Sequence, residues 1–189
     1  MAAADLWVPP VVRKPTVTLP DPKSSNEDKD EFRHAADRVV VVAARLALDE
    51  YLECAVYICQ PHRSFQQCVR MAFYTKNKID RHIPKILGQV EAISRGEIET
   101  RTNLTDIERR RLRELLRKLK TERSEEWGKE QLKIVFLSLT DSPDTLVLPY
   151  DVDNNLMSGS GRGTAFTQGQ RYVSLARLEK GPKTTSELV

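Results

Sequence analysis

Apolar residues between Phe32 and Ile58 recur at Phe32, Ala35, Ala36, Val39, Val42, Ala43 and Leu46, then run on through Leu52, Ala55 and Val56. Steps of three and four residues line up one side of an α-helix. Ser24-Ser25-Asn26-Glu27, just upstream, has the Ser-x-x-Glu spacing of a reciprocal helix cap. The pattern predicts a first long helix. The β-branched run Val39 to Val42 would also suit a strand, but the alanines, the length and the flanking charges agree better with a period of 3.6. The apolar residues reach almost every side of this helix, which predicts a central place in a bundle or cover by another chain.

A second stripe follows after Gln60-Pro61-His62-Arg63 interrupts the pattern and Ser64-Phe65-Gln66-Gln67 restarts it with another capping spacing. Its apolar positions include Phe65, Val69, Ala72, Phe73, Ile79, Ile83, Ile86, Leu87, Val90 and Ile93. Pro84 lies inside the stripe, where its ring would clash with the preceding turn, so a kink or a break is expected there. Ser94 to Asn103 is polar and reads as a loop. A third helix opens at Thr105-Asp106-Ile107-Glu108, a Thr-x-x-Glu cap, and carries the seam Leu112, Leu115, Leu116 and Leu119.

Beyond Trp127-Gly128 the pattern becomes β-rich. Leu132, Ile134, Phe136, Leu137 and Leu139 form one run, Asp141-Ser142-Pro143-Asp144 a turn, and Thr145 to Tyr150 a second run, together predicting a hairpin. Ser158 to Gly163 reads as a flexible loop, and Val173 to Leu178 as a last short strand or helical turn. The expected fold class is mainly α: an antiparallel bundle of about three long helices followed by a small β-rich element. The expected organisation is an extended arm over 1–25, a helical domain over 26–128, the β-rich element over 129–181 and a tail over 182–189. Five prolines punctuate the arm, which also holds the apolar group Leu6, Trp7 and Val8.

Composition adds bounds. The chain has 189 residues, 40% hydrophobic and 30% charged, with a net charge of +3. That length suits one domain with a small appendage, and so modest a charge does not demand a nucleic-acid partner. The longest apolar run, Val39 to Ala44, is far below the ~20 residues of a membrane-spanning helix. No membrane segment or secretory signal is read. The three cysteines, Cys54, Cys59 and Cys68, are odd in number and fit reduced thiols in a nuclear or cytoplasmic compartment. With His62 they form C-x4-C-x2-H-x5-C, which lacks the short knuckle spacing typical of zinc sites, so no metal is expected.

Charge is uneven. From Glu108 to Arg123 eight basic residues face three acidic ones. This face, with Arg109, Arg110, Arg113, Arg117 and Lys120 as its candidate contacts, could bind phosphates or an acidic partner, or stand in solvent. No aromatic residues interleave it as a single-strand stacking surface requires. No catalytic motif is legible, and the glycines of Ser158 to Gly163 are not followed by the Lys and Ser or Thr of a phosphate-binding loop. His82 reads as a surface histidine with no carboxylate beside it. The expectation is a protein without catalytic activity or cofactor.

The stretch Val69-Arg70-Met71-Ala72-Phe73-Tyr74-Thr75-Lys76-Asn77-Lys78-Ile79-Asp80-Arg81-His82-Ile83-Pro84-Lys85-Ile86-Leu87 resembles the central helix of GINS complex subunits. Leu104-Thr105-Asp106-Ile107-Glu108 is similar to the start of the next helix in that family, and the β-rich segment after Leu132 is similar in placement to its small C-terminal β domain. The resemblance implies a non-catalytic scaffold subunit of a hetero-oligomer working with the replicative DNA helicase. Trp7, Phe73, Ile79, Ile83, Leu112 and Leu116 would pack against partner subunits. The alternative is a nucleic-acid-binding or viral structural protein using the basic helix 109–123, and an enzyme is the third choice.

Overall fold

A computed structural model describes residues 35–119, 125 and 131–189. It overturns the mainly α expectation, because among the described residues strand outweighs helix, 32% against 23%. The strands are β1 (Arg38–Ala43), β2 (Val56–Cys59), β3 (Arg70–Thr75), β4 (Lys78–Ile79), β5 (His82–Ile83), β6 (Ile86–Ile93), β7 (Leu132–Leu137), β8 (Leu146–Val147), β9 (Val152–Asp153) and β10 (Gln170–Ser174). Three helices are described: α1 (Ala47–Cys54), α2 (Asp106–Lys118) and the single turn α3 (Leu175–Leu178).

A curled five-stranded sheet has the order β10-β1-β3-β4-β9, a three-stranded sheet the order β2-β7-β6, and β5 pairs with β8. The first sheet is mixed, with β1 parallel to β3 and antiparallel to β10. Both sheets draw strands from either side of position 129, since β1 pairs with β10, and β2 and β6 pair with β7.

The expected first helix is β1, α1 and β2. Val39 and Val41 enter the core on one side of β1, while Val40 and Val42 enter the core on the other. A strand buried on both faces shows no polar alternation, which is why the alanines and the length outweigh the β-branched run in the sequence. Burying each such side chain contributes roughly 1.5–3 kcal/mol. Ala55 closes α1 in the left-handed region at φ 53°, and its N–H donates to the Tyr51 carbonyl at 2.7 Å.

The expected second helix is β3 through β6. Lys76 and Asn77, with φ of 48° and 62°, form a two-residue loop between Thr75 and Lys78, which pair with each other. Positive φ at both central residues is the geometry of the tight hairpin turn whose twist matches its strands. Pro84 kinks no helix. It sits between β5 and β6, and its carbonyl accepts from the Met71 N–H at 3.0 Å.

Helix α2 stands as expected. Thr105 accepts from the Glu108 N–H, and the Glu108 carboxylate accepts from the Thr105 N–H at 2.7 Å. Leu112 and Leu115 are buried against the outer face of the three-stranded sheet with Val56, Ile58, Ile134 and Phe136, and Leu116 and Leu119 pack around them. The expected hairpin after Leu132 is also corrected. The turn exists, with the Thr145 N–H donating to the Ser142 carbonyl at 2.9 Å, but the run after it pairs with β5 and not with β7.

Three packed layers result. Between the two sheets lie Val40, Val42, Met71, Phe73, Tyr57, Val135 and Leu137, joined by Ala47 and Tyr51 of α1. The far face of the five-stranded sheet is covered by Leu148, Phe166, Leu178 and Leu188. The C-terminal segment is docked: Thr184 and Glu187 cap the turn Thr185–Glu187, and Leu188 is buried.

Candidate ligand-binding cleft

Strand β6 is an edge of the three-stranded sheet. In β6 the register steps from Ile86 opposite Leu137 to Gly88 opposite Phe136, leaving Leu87 as an extra, exposed residue. The bulge resets the alternation. Gln89 then stands opposite Val135 on the inner face, with Glu91 two residues on, beside Lys133. Val90 opposite Ile134 keeps the outer face apolar.

The loop from Gln60 to Val69 closes over this uncovered edge. His62 turns it at φ 68°, a left-handed conformation that a non-glycine residue adopts at an energetic cost and that is enriched at functional sites. Tertiary hydrogen bonds then fix the loop. The Arg63 guanidinium donates to the Gly169 carbonyl at 2.9 Å, the Gln170 amide to the Ser64 carbonyl at 3.2 Å, and the Gln66 N–H to the Tyr172 hydroxyl at 2.9 Å. Lys133 Nζ donates to the Arg63 carbonyl at 3.1 Å.

Sheet and loop enclose a cleft of about 430 Å³. That is the size and the preformed character of a small-molecule site. Phe65, Ile86 and Val135 supply apolar wall, Gln66, Gln67 and Gln89 supply amides, and Arg63, Lys133 and Glu91 supply charge.

Lys133 is its unusual member. It lies in a strand whose every residue is buried, and its side chain is only 5% exposed. The ammonium meets Glu91 Oε1 at 2.6 Å, while the Glu91 side chain is 57% exposed. It also lies 5.3 Å from the centroid of the Phe65 ring, and the Arg63 guanidinium carbon lies 5.8 Å from the same centroid. Tyr57 meets Phe65 edge-on, centroids 6.3 Å apart. The ring thus has an aromatic edge and two cations near it, contacts favoured by its quadrupole. Cys68 lines the cleft, and burial pushes its thiol up to about 11, with the Arg38 charge working weakly the other way. It is therefore a protonated, weakly nucleophilic wall at neutral pH.

The residues singled out in the sequence lie elsewhere. Phe73, Ile79, Ile83 and Leu112 are fully buried in the chain's own cores, and Leu116 packs at the edge of the outer one. Arg109 donates to the carbonyls of Ile98, Glu99, Arg101 and Leu104. Arg113 forms a two-pronged pair with Glu99 at 2.6 and 2.7 Å, and Arg117 pairs with Glu114 at 2.6 Å. Arg110 is exposed and makes no ion pair with a described residue. Trp7 and Lys120 fall outside the described residues.

His82 does have a carboxylate beside it: Nδ1 lies 2.8 Å from Asp80 Oδ1, which also accepts from the His82 N–H at 2.9 Å. No serine or threonine hydroxyl among the described residues hydrogen-bonds to that ring. Cys54 belongs to the outer core and Cys59 to the inner one. Among the described residues no group of three or more His, Cys, Asp or Glu side chains could hold a metal ion. Nor is any described helix long and apolar enough to cross a membrane.

The sequence reading missed Phe65, Gln89, Glu91 and Lys133 as a group. Their signal was present in Leu132-Lys133-Ile134, a lone charge inside an otherwise apolar run. The 19 residues that resemble a GINS central helix are β3 to the start of β6, so the helical ground of that resemblance is absent. No protein-family model, curated protein or solved structure matches the chain.

Proposed function

We propose that this protein is a binding module whose cleft takes a small planar ligand carrying an anionic group. The observation that supports it is the placement of Lys133. A lysine that serves stability alone carries its charge to the surface along an apolar stem. This one is buried, its ammonium borders a preformed cleft, and its carboxylate partner is more than half exposed. An anion can take the place of Glu91 against Lys133 while Glu91 turns into water, and Phe65 offers a wall for a flat ring. The loop's hydrogen bonds to β7 and β10 lower the ordering cost of binding.

Assembly with partner subunits has less physical support, because the apolar stripes that argued for it are internal. Binding of 8-anilinonaphthalene-1-sulfonate, a planar aromatic anion, tests the cleft. The full chain should bind the dye saturably at one site. Lys133→Met should weaken it by at least about tenfold, because a hydrogen bond to a charged group contributes ~1.5–3 kcal/mol. Arg110→Ala should leave it unchanged. Dye binding that is unsaturable, or equal in the Lys133→Met protein, rejects the proposal.

A further inference from the structure

We infer that the ligand of this cleft is a nucleotide with an unpaired base, its ring on Phe65, its edge read by glutamine amides and its phosphate on Lys133. The inference rests on the cleft reading and adds the chemical class. Three primary amides, Gln66, Gln67 and Gln89, line one small cleft. None of these side chains is hydrogen-bonded to a described residue. Each presents a carbonyl acceptor beside an NH₂ donor, which is the complement of a nucleobase edge.

Other anionic ligands fit less well. A sugar phosphate without a base would use the amides and Lys133, but it has no flat π-face to set against the Phe65 ring. A fatty acyl anion asks for a long apolar tunnel, whereas the apolar wall is limited to Phe65, Ile86 and Val135 with the Cys68 thiol. A base in a duplex has its pairing edge occupied and its faces stacked, so the base must be free or single-stranded. One aromatic wall with neighbouring cations is the recurring solution for such bases, because every base has a π-face.

Glu91 is then the specificity-determining residue. Its carboxylate occupies the place the phosphate needs, so uncharged nucleosides leave it undisturbed and nucleotides must displace it. Removing its charge should favour the phosphate and leave the binding of uncharged nucleosides little changed.

The test is displacement of the same dye from the full chain by the common nucleoside monophosphates, by single-stranded oligonucleotides of about ten residues, and by a duplex of the same sequence. That length falls within the ~4–16 nucleotide site sizes of single-strand binders. At least one monophosphate or single strand should displace the dye, and the duplex should not. Phe65→Ala and Gln89→Ala should each weaken nucleotide binding by about tenfold, the size expected for a lost stacking or edge contact. Glu91→Gln should tighten it several-fold. Monophosphates as effective as strands assign the free nucleotide, and strands alone assign single-stranded nucleic acid; both support the inference. If the dye binds through Lys133 and no nucleotide or strand displaces it, the inference is overturned while the cleft reading stands. If Gln89→Ala, a change at an exposed side chain, leaves nucleotide affinity within about twofold, edge recognition is overturned.

Discussion

Glu91 and Lys133 form an ion pair 2.6 Å long between β6 and β7, and its two ends are unequally wet: the acid is 57% exposed and the base 5%. Removing the acid strands a buried charge, while removing the base leaves a carboxylate that water solvates. Breaking a fully buried pair costs about 3–5 kcal/mol, and the exposure of Glu91 reduces that figure. Glu91→Gln should therefore lower the unfolding free energy by ~1–2 kcal/mol, and Lys133→Met by less than ~1 kcal/mol. Urea unfolding of the two variants checks the asymmetry; equal losses would show that the lysine is not the desolvated partner.

Phe73 stacks on Tyr51 with centroids 4.9 Å apart and 17° between the planes, and lies 6.3 Å from Tyr57. It ties α1, β2 and β3 into the layer between the sheets. Phe73→Ala should cost ~3–5 kcal/mol, the range for truncating a fully buried aromatic. Equilibrium denaturation measures the loss. Had Phe73 been a partner contact, truncation would have left monomer stability near its starting value.

That contrast shows why parts of this fold were legible in the sequence and others were not. Helix α2 was legible because its signals are local: Thr105 and Glu108 cap it, and one apolar seam faces one sheet. Strand β7 was legible as a strand, but its partners β2 and β6 lie far away in sequence, and no local rule distinguishes them from the run after the turn. Strands β3 to β6 were misread because short strands separated by tight turns put apolar residues at spacings of three and four. The turn at Lys76-Asn77 contains no glycine to mark it. The cleft was illegible for the same reason as the sheets, since a bulge at Leu87 and a loop held by β10 bring Gln89, Lys133 and Phe65 together.

Arg109 and Arg110 are adjacent in sequence and opposite in role. The Arg109 guanidinium donates to four carbonyls where the loop after Ser94 enters α2, the shortest contacts being 2.6 Å to Arg101 and 2.7 Å to Ile98. Arg109→Ala should cost ~1.5–3 kcal/mol, since hydrogen bonds to a charged donor are lost and carbonyls are left unpaired. Arg110→Ala should change stability by no more than ~0.5 kcal/mol. Thermal unfolding of both proteins distinguishes this from a uniform basic face, on which the two substitutions would act alike.

Tyr51 gives the protein an alkaline limit. Burial pushes its phenol up to about 12, and the Thr145 hydroxyl, whose geometry falls short of a hydrogen bond with it, works in the opposite direction. In the unfolded chain the same phenol titrates near ~10. The folded pKa is the higher, so the contribution is fully present below pH ~10 and is lost as pH rises from there toward about 12, where the unfolded state releases the proton more readily. The size expected is on the order of 2 kcal/mol. At pH ~7 Tyr51→Phe should be no less stable than the parent, because the buried hydroxyl makes no hydrogen bond that folding would gain. Above pH ~10 the parent should weaken relative to Tyr51→Phe, and urea unfolding of both across that window reads the gap. A constant difference between the two proteins from neutral to alkaline pH would mean that Tyr51 ionises as easily in the folded state as in the unfolded one.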